Sequence, residues 1–372
     1  MKFIYEMQLF FLNLQHKKFA MYTPTPESTK ALLSLLKEAG NIVIATHHHP
    51  DGDAAGSSTA LMHFINGTIA PKAQVILPTA LPESLGFLLD GKVSIAEDDM
   101  GKAIAAINSC DLLICLDFNT FSRTDALEEP LRGCKARKVL IDHHLKPDTD
   151  SFDLVFSRTD TSSASELLYD ILMLMPGVDG DAARLPEATA TALMTGMTTD
   201  TNNFANSVFP STLRMASALL AAGVDRDALI DRIFNCYREN RYRAMGWLTG
   251  ENMRITPDGV AYMILREEDR ERFDLHEGDT EGFVNIPLGI RTIKMTIFLR
   301  EDDGFFRVSV RSKRGISANM LARTYFHGGG HEQAAGGRLY WPGDIAGPED
   351  AAEYIEQATA RFMQSEEPSK QI

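Results

Sequence analysis

A chain of 372 residues is longer than one hydrophobic core usually serves, so we expect two domains. Hydrophobic residues make up 44% of the chain and charged residues 24%, which is typical of a folded globular protein and excludes a fibrous or disordered one. The formal net charge of −14 argues against binding to long duplex nucleic acid, which depends on many Lys and Arg contacts to phosphates. Any anionic substrate must therefore be held by a local group of basic side chains.

The first 24 residues predict an N-terminal extension and no membrane anchor. Their apolar runs are too short and too interrupted to span a bilayer, no small-residue cleavage site follows them, and Met21 could itself be the start of the native protein. The cysteines form no C-x-x-C pair, which favours reduced thiols and a cytoplasmic location. These cysteines are Cys110, Cys115, Cys134 and Cys236.

Residues 25–142 alternate between predicted helices and strands. Thr25 is expected to cap a helix whose first residue is Pro26 and which stops at Gly40, and a helix of small residues is predicted over 54–65. Strands that are apolar on both faces and separated by helices favour a parallel sheet covered on both sides. We therefore predict an α/β fold with a doubly wound, mainly parallel sheet. The predicted strands are residues 41–46, 73–77, 111–117 and 138–142.

The sequence changes character after a mostly helical stretch that ends near residue 240. Strand-like runs are followed by a predicted helix over residues 317–326 and by the glycine-rich stretch 327–337. We place the domain boundary between residues 235 and 260 and expect a smaller α+β domain after it. The strand-like runs are residues 259–265, 292–299 and 305–312.

The first candidate site follows the first predicted strand, in the stretch THHHPDGDAAGSS. His47, Asp51 and Asp53 have the spacing H-x-x-x-D-x-D, which on a loop can turn one imidazole and two carboxylates toward one point. Simpler explanations exist for single residues, since His48 or His49 could lie at the surface and Asp53 could cap the following helix. One of these two extra histidines could also replace or supplement a ligand.

Further metal-capable groups end other predicted strands. Asp117 follows one strand, and Asp142, His143 and His144 end another, so the loops at the carboxyl edge of a parallel sheet would bring them together. Asp200 stands in LMTGMTTDTNNF, where an apolar helix runs into a turn. Its spacing alone favours an ordinary turn residue at a helix end.

The combined donor set contains nitrogen and oxygen atoms but no thiolate. Seven such groups are too many for one tetrahedral zinc and suit a pair of ions, with Mn²⁺ favoured and Mg²⁺ or Co²⁺ as alternatives, bridged by Asp117. Two such ions can activate a water and stabilise both oxygens that exchange at phosphorus. The set is His47, Asp51, Asp53, Asp117, His143, His144 and Asp200.

A second candidate site is basic and glycine-rich. Exposed backbone amides beside guanidinium and imidazole groups could bind a terminal phosphate or a nucleotide, although Lys313 and Arg314 could also be ordinary solvated charges. The residues concerned are Arg311, Ser312, Lys313, Arg314, Gly328, Gly329, Gly330, His331, Gly336 and Gly337.

These motifs resemble the DHH family of phosphoesterases, named for the triplet that stands here as Asp142-His143-His144. The resemblance extends from about residue 25 to residue 340 and comprises the motifs HHHPDGDAAGS, CLDFNTFSR, IDHH and TGMTTDT. The stretch RSKRGISANMLARTYFHGGGHEQAAGG is similar to the DHH-associated C-terminal domain. The size and two-domain layout resemble the nanoRNase branch of the family, because type II pyrophosphatases carry a different C-terminal domain and recombination exonucleases are longer.

The resemblance implies a domain organisation and an activity. The expected activity is hydrolysis of short oligoribonucleotides to mononucleotides and of 3′-phosphoadenosine 5′-phosphate to AMP, by attack of a water activated by two metal ions. No membrane partner is implied, and a homodimer is compatible with the sequence but not required by it. The active site is expected in the cleft between two domains. The expected segments are an N-terminal extension (1–24), a DHH phosphoesterase domain (25–235), a helical linker (236–260) and a DHH-associated substrate-binding domain (261–365).

The resemblance also implies roles for the candidate residues. Asp117, His143 and His144 would be catalytic, with His144 touching phosphate or protonating the leaving oxygen. The implied metal ligands are His47, Asp51, Asp53, Asp117, His143 and Asp200. The implied substrate-binding residues are Arg311, Ser312, Arg314, Gly328, Gly329, Gly330, His331, Gly336 and Gly337.

Three alternatives remain open from the sequence. The chain could be an exopolyphosphatase or pyrophosphatase, a phosphodiesterase for the linear dinucleotide pGpG, or a nucleotide-binding sensor without turnover. The presence of every central carboxylate disfavours the sensor. A comparison of a dinucleotide with pyrophosphate as substrates would separate the enzymes.

Overall fold

The computed structural model describes residues 19–20, 23–70, 72–276 and 278–366. Most of the predicted N-terminal extension therefore lies outside the described residues. The chain divides into two compact units, Met1–Cys236 and Tyr237–Ile372. None of the helices in the described part of the chain combines the length and the apolar character that crossing a bilayer requires.

The first unit is built on a seven-stranded sheet in which every neighbouring pair of strands is parallel. Their order across the sheet is β1-β7-β6-β5-β2-β3-β4. The strands are β1 (Phe19–Ala20), β2 (Ile42–Ala45), β3 (Ala73–Leu77), β4 (Val93–Ile95), β5 (Leu112–Leu116), β6 (Arg137–Asp142) and β7 (Leu154–Ser157).

Helices cover both faces of this sheet, as the apolar strands predicted. Ile42 and Ile44 of β2 pack into one hydrophobic core, whereas Val43 and Ala45 pack into the other, because successive side chains point to opposite faces of a strand. The helices are α1 (Pro26–Glu38), α2 (Gly52–Thr68), α3 (Met100–Ser109), α4 (Glu128–Gly133), α5 (Ala164–Met173), α6 (Glu187–Asp200), α7 (Pro210–Ala221) and α8 (Arg226–Phe234).

The α/β fold class is confirmed, and the four predicted strands are present with ends within one residue of the prediction. Strands β4 and β7 were not predicted, since runs of three and four residues carry little periodicity. Helix α2 begins at Gly52 and ends at Thr68, earlier and later than predicted. The cysteines are free, and the Sγ atoms of Cys110 and Cys134 lie 3.8 Å apart without a bond.

The second unit contains a mixed six-stranded sheet of order β12-β13-β11-β10-β9-β8. Only β9 and β10 pair in parallel, and the other neighbours are antiparallel. Helices α11 and α12 pack on one face, and α9 packs on the other. The strands are β8 (Arg254–Ile255), β9 (Val260–Leu265), β10 (Met295–Asp302), β11 (Phe305–Ser312), β12 (Gly329–Gly330) and β13 (Ala334–Tyr340), and the helices are α9 (Glu239–Trp247), α10 (Glu267–Arg272), α11 (Ala318–Tyr325) and α12 (Ala351–Glu366).

Candidate metal centre

The loop between β2 and α2 gives its three candidate ligands different local roles. Asp51 is the N-cap of α2, and its Oδ1 accepts the N–H groups of Asp53 and Ala54 at 3.0 and 3.1 Å. Asp53 therefore does not cap the helix, as the simpler explanation supposed, but lies inside its first turn and is almost fully buried. The Asp53 carboxylate is therefore not used to cap α2.

The Asp53 carboxylate faces the beginning of α5. Its Oδ2 accepts the N–H of Ala164 at 2.6 Å, and its Oδ1 accepts the N–H of Ser165 at 2.9 Å. The first N–H groups of a helix have no partner within the helix and carry its positive dipole end, so they stabilise a negative charge. Helix α5 thus holds one carboxylate of the site in a fixed orientation.

His47 is oriented by its own neighbour. Its Nδ1 lies 2.9 Å from the carbonyl oxygen of His48, and because a carbonyl only accepts, Nδ1 carries the proton and donates. The other ring nitrogen, Nε2, lies 3.6 Å from Asp117 Oδ2 and 3.9 Å from Asp51 Oδ1. Such an arrangement leaves the lone pair of Nε2 for a cation, as in many metal-binding histidines.

Asp117 lies at the centre of the cluster. It follows β5 with φ of +62°, a left-handed conformation that costs energy for a residue other than glycine and that turns the chain at the strand end. Its side chain is buried, and Oδ1 has no hydrogen-bond partner. A buried carboxylate oxygen without a partner is expected where a cation binds, because it would otherwise lose its solvation without compensation.

His143 and Asp200 complete the buried side of the cluster. Nε2 of His143 lies 3.3 Å from Asp117 Oδ1, 3.7 Å from Asp200 Oδ2 and 3.9 Å from Asp53 Oδ2. Asp200 is the last residue of α6, so the helix places a residue that its spacing had suggested was only a turn residue. One imidazole thus meets three carboxylates that come from three separate segments.

The structure also places two residues that the sequence analysis had not included among the site residues. Asp142 is buried at the end of β6, and its Oδ1 lies 2.8 Å from Nδ1 of His144. On the other side of the same ring, Nε2 lies 2.8 Å from Nη1 of Arg123. In the sequence, the feature that could have pointed to Arg123 is that it is the first basic residue after Asp117.

The pKa values of the cluster reflect burial and its opposite charges. Burial raises the pKa of Asp53 well above its usual range, and the charges of Asp117 and Asp200 add to this effect. Burial acts in the same direction on Asp117, but the imidazoles of His143 and His47 beside it hold its pKa well below the usual range.

The histidines respond differently. Burial disfavours the charged form of His143, but the neighbouring carboxylates of Asp117 and Asp200 raise its pKa to about 10. Burial likewise opposes protonation of His47, whose pKa is nevertheless raised by the neighbouring Asp117 carboxylate. For His144, burial together with the charges of His143 and Arg123 lowers the pKa despite the partner Asp142.

Among the described residues of the first unit, three overlapping groups of side chains could each hold a metal ion, with ligand atoms within 4.8 Å of one another. Asp117 belongs to all three, and the donor atoms are imidazole nitrogens and carboxylate oxygens, which suit Mn²⁺, Mg²⁺ or a similar ion. The groups are His47 with Asp51 and Asp117, Asp53 with Asp117 and His143, and Asp117 with Asp142 and His144.

The two additional histidines of the first motif do not join these groups among the described residues. Nδ1 of His48 lies 3.4 Å from Asp125 Oδ2, and the rings of His48 and His49 stack with centroids 3.9 Å apart. Both histidines therefore lie beside the candidate metal centre, next to His47 in the chain.

In the second unit, three of the predicted substrate-binding residues lie close together. Arg311 on β11 pairs with Ala334 on β13, and Ala334 in turn exchanges backbone hydrogen bonds with His331 at 2.7 and 3.3 Å. Ser312 is buried, and its hydroxyl donates to the carbonyl of Ile316 at 2.6 Å. Arg314 is exposed in the turn after β11.

The predicted glycines shape the hairpin that carries His331. Gly329 and Gly330 form β12 and pair with Gly336 and Ala335 of β13. A Cβ atom at Gly328 would lie 1.9 Å from the carbonyl oxygen of Gly336, so any side chain there would separate the strands. The close approach of the two strands therefore requires these glycines. This requirement is compatible with a role in exposing backbone N–H groups to a ligand.

The sequence matches the DHH family, N-terminal domain, over residues 41–197 and the DHHA1 domain over residues 258–362. It is 31% identical over 320 residues to the bifunctional oligoribonuclease and PAP phosphatase NrnA of Thermus thermophilus, covering 84% of this chain and 89% of that protein. A protein of Streptococcus mutans with the name "Probable bifunctional oligoribonuclease and PAP phosphatase NrnA" is 30% identical over 318 residues, or 84% of this chain and 93% of the relative.

A crystal structure of an exopolyphosphatase-related protein from Bacteroides fragilis superposes with a TM-score of 0.83 at 33% identity, covering 92% of this chain and 98% of the other. The two domain matches, the two relatives and the crystal structure are all similar to this chain over the same large part of its length. Because these similarities extend beyond the short motifs to both compact units, the chain belongs to the DHH family and carries a C-terminal DHHA1 domain.

Proposed function

We propose that this protein is a metal-dependent phosphoesterase that hydrolyses short oligoribonucleotides to mononucleotides and 3′-phosphoadenosine 5′-phosphate to AMP. Each turnover consumes one water, whose oxygen joins phosphorus, while the leaving oxygen takes up a proton. The observation that carries the proposal is the buried Asp117, whose unpartnered Oδ1 faces His143 at 3.3 Å within a cluster of metal-capable groups. The substrates are inferred from the names of the NrnA relatives.

Two divalent ions, with Mn²⁺ favoured, are the proposed cofactors. Such ions would polarise the phosphate and acidify a water next to it, which is the chemistry that carboxylates and imidazoles cannot supply alone. The proposed ligands are His47, Asp51, Asp53, Asp117, His143 and Asp200, all of which the fold of the first unit brings to one edge of the sheet.

The protein's own groups would prepare this centre in three ways. The hydrogen bond from Nδ1 of His47 to a carbonyl fixes the ring that presents Nε2. The first turn of α5 holds the Asp53 carboxylate. Asp142 accepts the hydrogen of Nδ1 in His144 and so fixes the second histidine of the DHH triplet beside the ligands.

The second unit would bind the part of the substrate that does not react. Arg311 can donate two parallel hydrogen bonds to a phosphate, and the hairpin of residues 329–340 places His331 next to it. Ser312 and the glycines of the hairpin support this site, and Arg314 would contribute charge from the exposed turn. Short nucleotides are the proposed partners, and the free cysteines are consistent with the proposed cytoplasmic location.

The test is a comparison of substrates with Mn²⁺ present or chelated. Wild-type protein and Asp117→Asn would be assayed with a 5′-labelled RNA dinucleotide, 3′-phosphoadenosine 5′-phosphate, pGpG, polyphosphate and pyrophosphate. Asp153→Asn serves as the matched control, because this exposed aspartate pairs with Arg137 at the opposite end of the sheet. We expect metal-dependent release of mononucleotides from the dinucleotide, and of AMP and phosphate from 3′-phosphoadenosine 5′-phosphate, both abolished only in Asp117→Asn.

Other outcomes select the alternatives. Faster turnover of pyrophosphate or polyphosphate than of the dinucleotide would contradict the proposed substrates and favour an exopolyphosphatase. Binding of nucleotides without turnover of any substrate would favour a sensor.

A further inference from the structure

Arg123 lies beside the metal centre without being one of its ligands. It stands six residues after Asp117, in the short 3₁₀ segment Phe121–Leu127. Its Nη1 lies 2.8 Å from Nε2 of His144, and because a guanidinium has no acceptor, Arg123 is the donor of this hydrogen bond. The guanidinium is therefore held at the edge of the cluster, although the side chain as a whole is exposed.

The backbone below this side chain is fixed from both sides. The carbonyl of Arg123 accepts the N–H of His48 at 2.8 Å, which ties the segment to the first motif. Phe121 and Thr124 are fully buried, and Asp125 is held at φ 50° and ψ −116°, a strained conformation that only surrounding structure can maintain. A long, exposed side chain is thus presented from a rigid base.

The charge of Arg123 is not neutralised locally. Within the parts of the chain that the structure describes, no carboxylate oxygen lies within 4.0 Å of its guanidinium, whereas the exposed Arg132 and Arg184 pair with Glu128 and Asp179. A cation next to a carboxylate-rich centre, without a carboxylate of its own, remains available to an incoming anion.

We propose that Arg123 binds the phosphoryl group that reacts, by donating N–H groups to its non-bridging oxygens. The inference rests on the proposed function and adds a substrate-binding residue from the first unit. Arginine suits this role because it stays charged at any working pH and its planar fork matches a phosphate. Its contribution should be largest in the transition state, where a fixed donor meets developing charge at little reorganisation cost.

The experiment compares Arg123→Ala and Arg123→Lys with wild type, and Arg184→Ala is the matched control for loss of an exposed arginine. We expect Arg123→Ala to lower kcat/KM for 3′-phosphoadenosine 5′-phosphate by about 10²–10³, mostly in kcat, which is the range for loss of one donor to a developing oxyanion. Arg123→Lys should lose less, because it keeps the charge but not the fork. Added guanidinium should partly restore the alanine variant.

Metal binding separates this role from a structural one. Titration with Mn²⁺ alone should give the same affinity and stoichiometry in wild type and Arg123→Ala. A parallel loss of Mn²⁺ affinity, or a kcat/KM within about twofold of wild type, would overturn the proposal.

Binding of inorganic phosphate to the Mn²⁺-loaded protein distinguishes failure of this inference from failure of the proposed function. If wild type turns over none of the substrates, the proposed function fails. Phosphate affinity reduced at least about tenfold in Arg123→Ala would then still support the arginine as an anion-binding residue, and unchanged affinity would reject it.

Discussion

The carboxylate of Asp53 accepts the backbone N–H of Ala164 at 2.6 Å, although 111 residues separate them in the chain. This bond joins the first turn of α2 to the first turn of α5, so the beginning of one helix holds a side chain from the beginning of another. The carboxylate is thereby aimed at His143, whose Nε2 lies 3.9 Å away. The same hydrogen bond therefore contributes both to the candidate metal centre and to the packing of these two helices.

Asp53→Asn should abolish stabilisation by metal. An amide at this position binds a divalent ion poorly and also turns an N–H donor toward backbone N–H groups. Wild type should gain about 2.7 kcal/mol of unfolding free energy with Mn²⁺ at 100 times its dissociation constant, seen as a higher Tm. Asp111→Asn is the control, since Asp111 likewise accepts two backbone N–H groups, at 2.9 Å each, away from the cluster. The idea fails if Asp53→Asn keeps the full Mn²⁺-induced shift.

Asp117→Asn should reduce metal binding and activity more than Asp142→Asn does. Asp142 holds His144 beside the proposed ligands, so its loss should lower activity by about 10–100-fold, the range for partners that orient side chains at a metal site. Asp117 contributes to each of the three candidate groups, so its loss should cost more than that. Mn²⁺ titration and kinetics on the same preparations would check the order, and equal losses would contradict the central place of Asp117.

Metal uptake by the metal-free protein should release protons. The pKa of His143 is raised to about 10 in the absence of metal, so this ring is charged at pH 7 and must lose a proton to become a ligand. Mn²⁺ affinity should therefore rise by up to about tenfold per pH unit between pH 7 and pH 9, and flatten above the pKa.

Calorimetry in two buffers with different heats of ionisation measures the protons directly. His327→Asn is a suitable control, because His327 pairs with Asp344 in the second unit. Identical apparent enthalpies in both buffers would show that no proton is released.

Gly196→Ala should destabilise the first unit. A Cβ atom at this position of α6 would lie 2.0 Å from Ser165 Oγ and 2.8 Å from Asp53 Oδ1, so α5 or the carboxylate would have to move. We expect a loss of roughly 1–3 kcal/mol in the free energy of unfolding, measured by urea denaturation. Gly101→Ala is the control in α3, where the new atom would make only an ordinary contact of 3.6 Å with Asp99. A loss in the control as large as in Gly196→Ala would refute the steric argument.

Arg311→Ala should weaken substrate binding without affecting metal. We expect a higher KM for 3′-phosphoadenosine 5′-phosphate by about 10–100-fold, because a charge-assisted hydrogen bond contributes about 1.5–3 kcal/mol. Arg307→Ala is the control on the same strand, where the guanidinium pairs with Asp302 at 3.0 Å. Equal effects of the two substitutions would remove the case for a phosphate site at Arg311.

The apolar runs of the sequence determined the parallel sheet, because strands covered on both faces need hydrophobic residues at every position. Asp117 and the Asp142-His143-His144 triplet could be placed at one edge of that sheet for the same reason, since parallel strands end on the same side. Local patterns also located the capped start of α1 at Pro26. Strands and helix starts depend mainly on residues that are neighbours in the chain, so hydrophobic periodicity and capping residues predict them directly.

Only the tertiary structure decided which polar residues meet. The spacing of Asp200 alone favoured an ordinary turn residue, whereas the family resemblance implied a metal ligand, and the packing of α6 places the side chain 3.7 Å from His143. Arg123 carries no motif of its own and reaches His144 because two loops meet at the carboxyl edge of the sheet. These contacts join residues far apart in the chain, and their distances follow from how helices and strands pack, which hydrophobic periodicity does not encode.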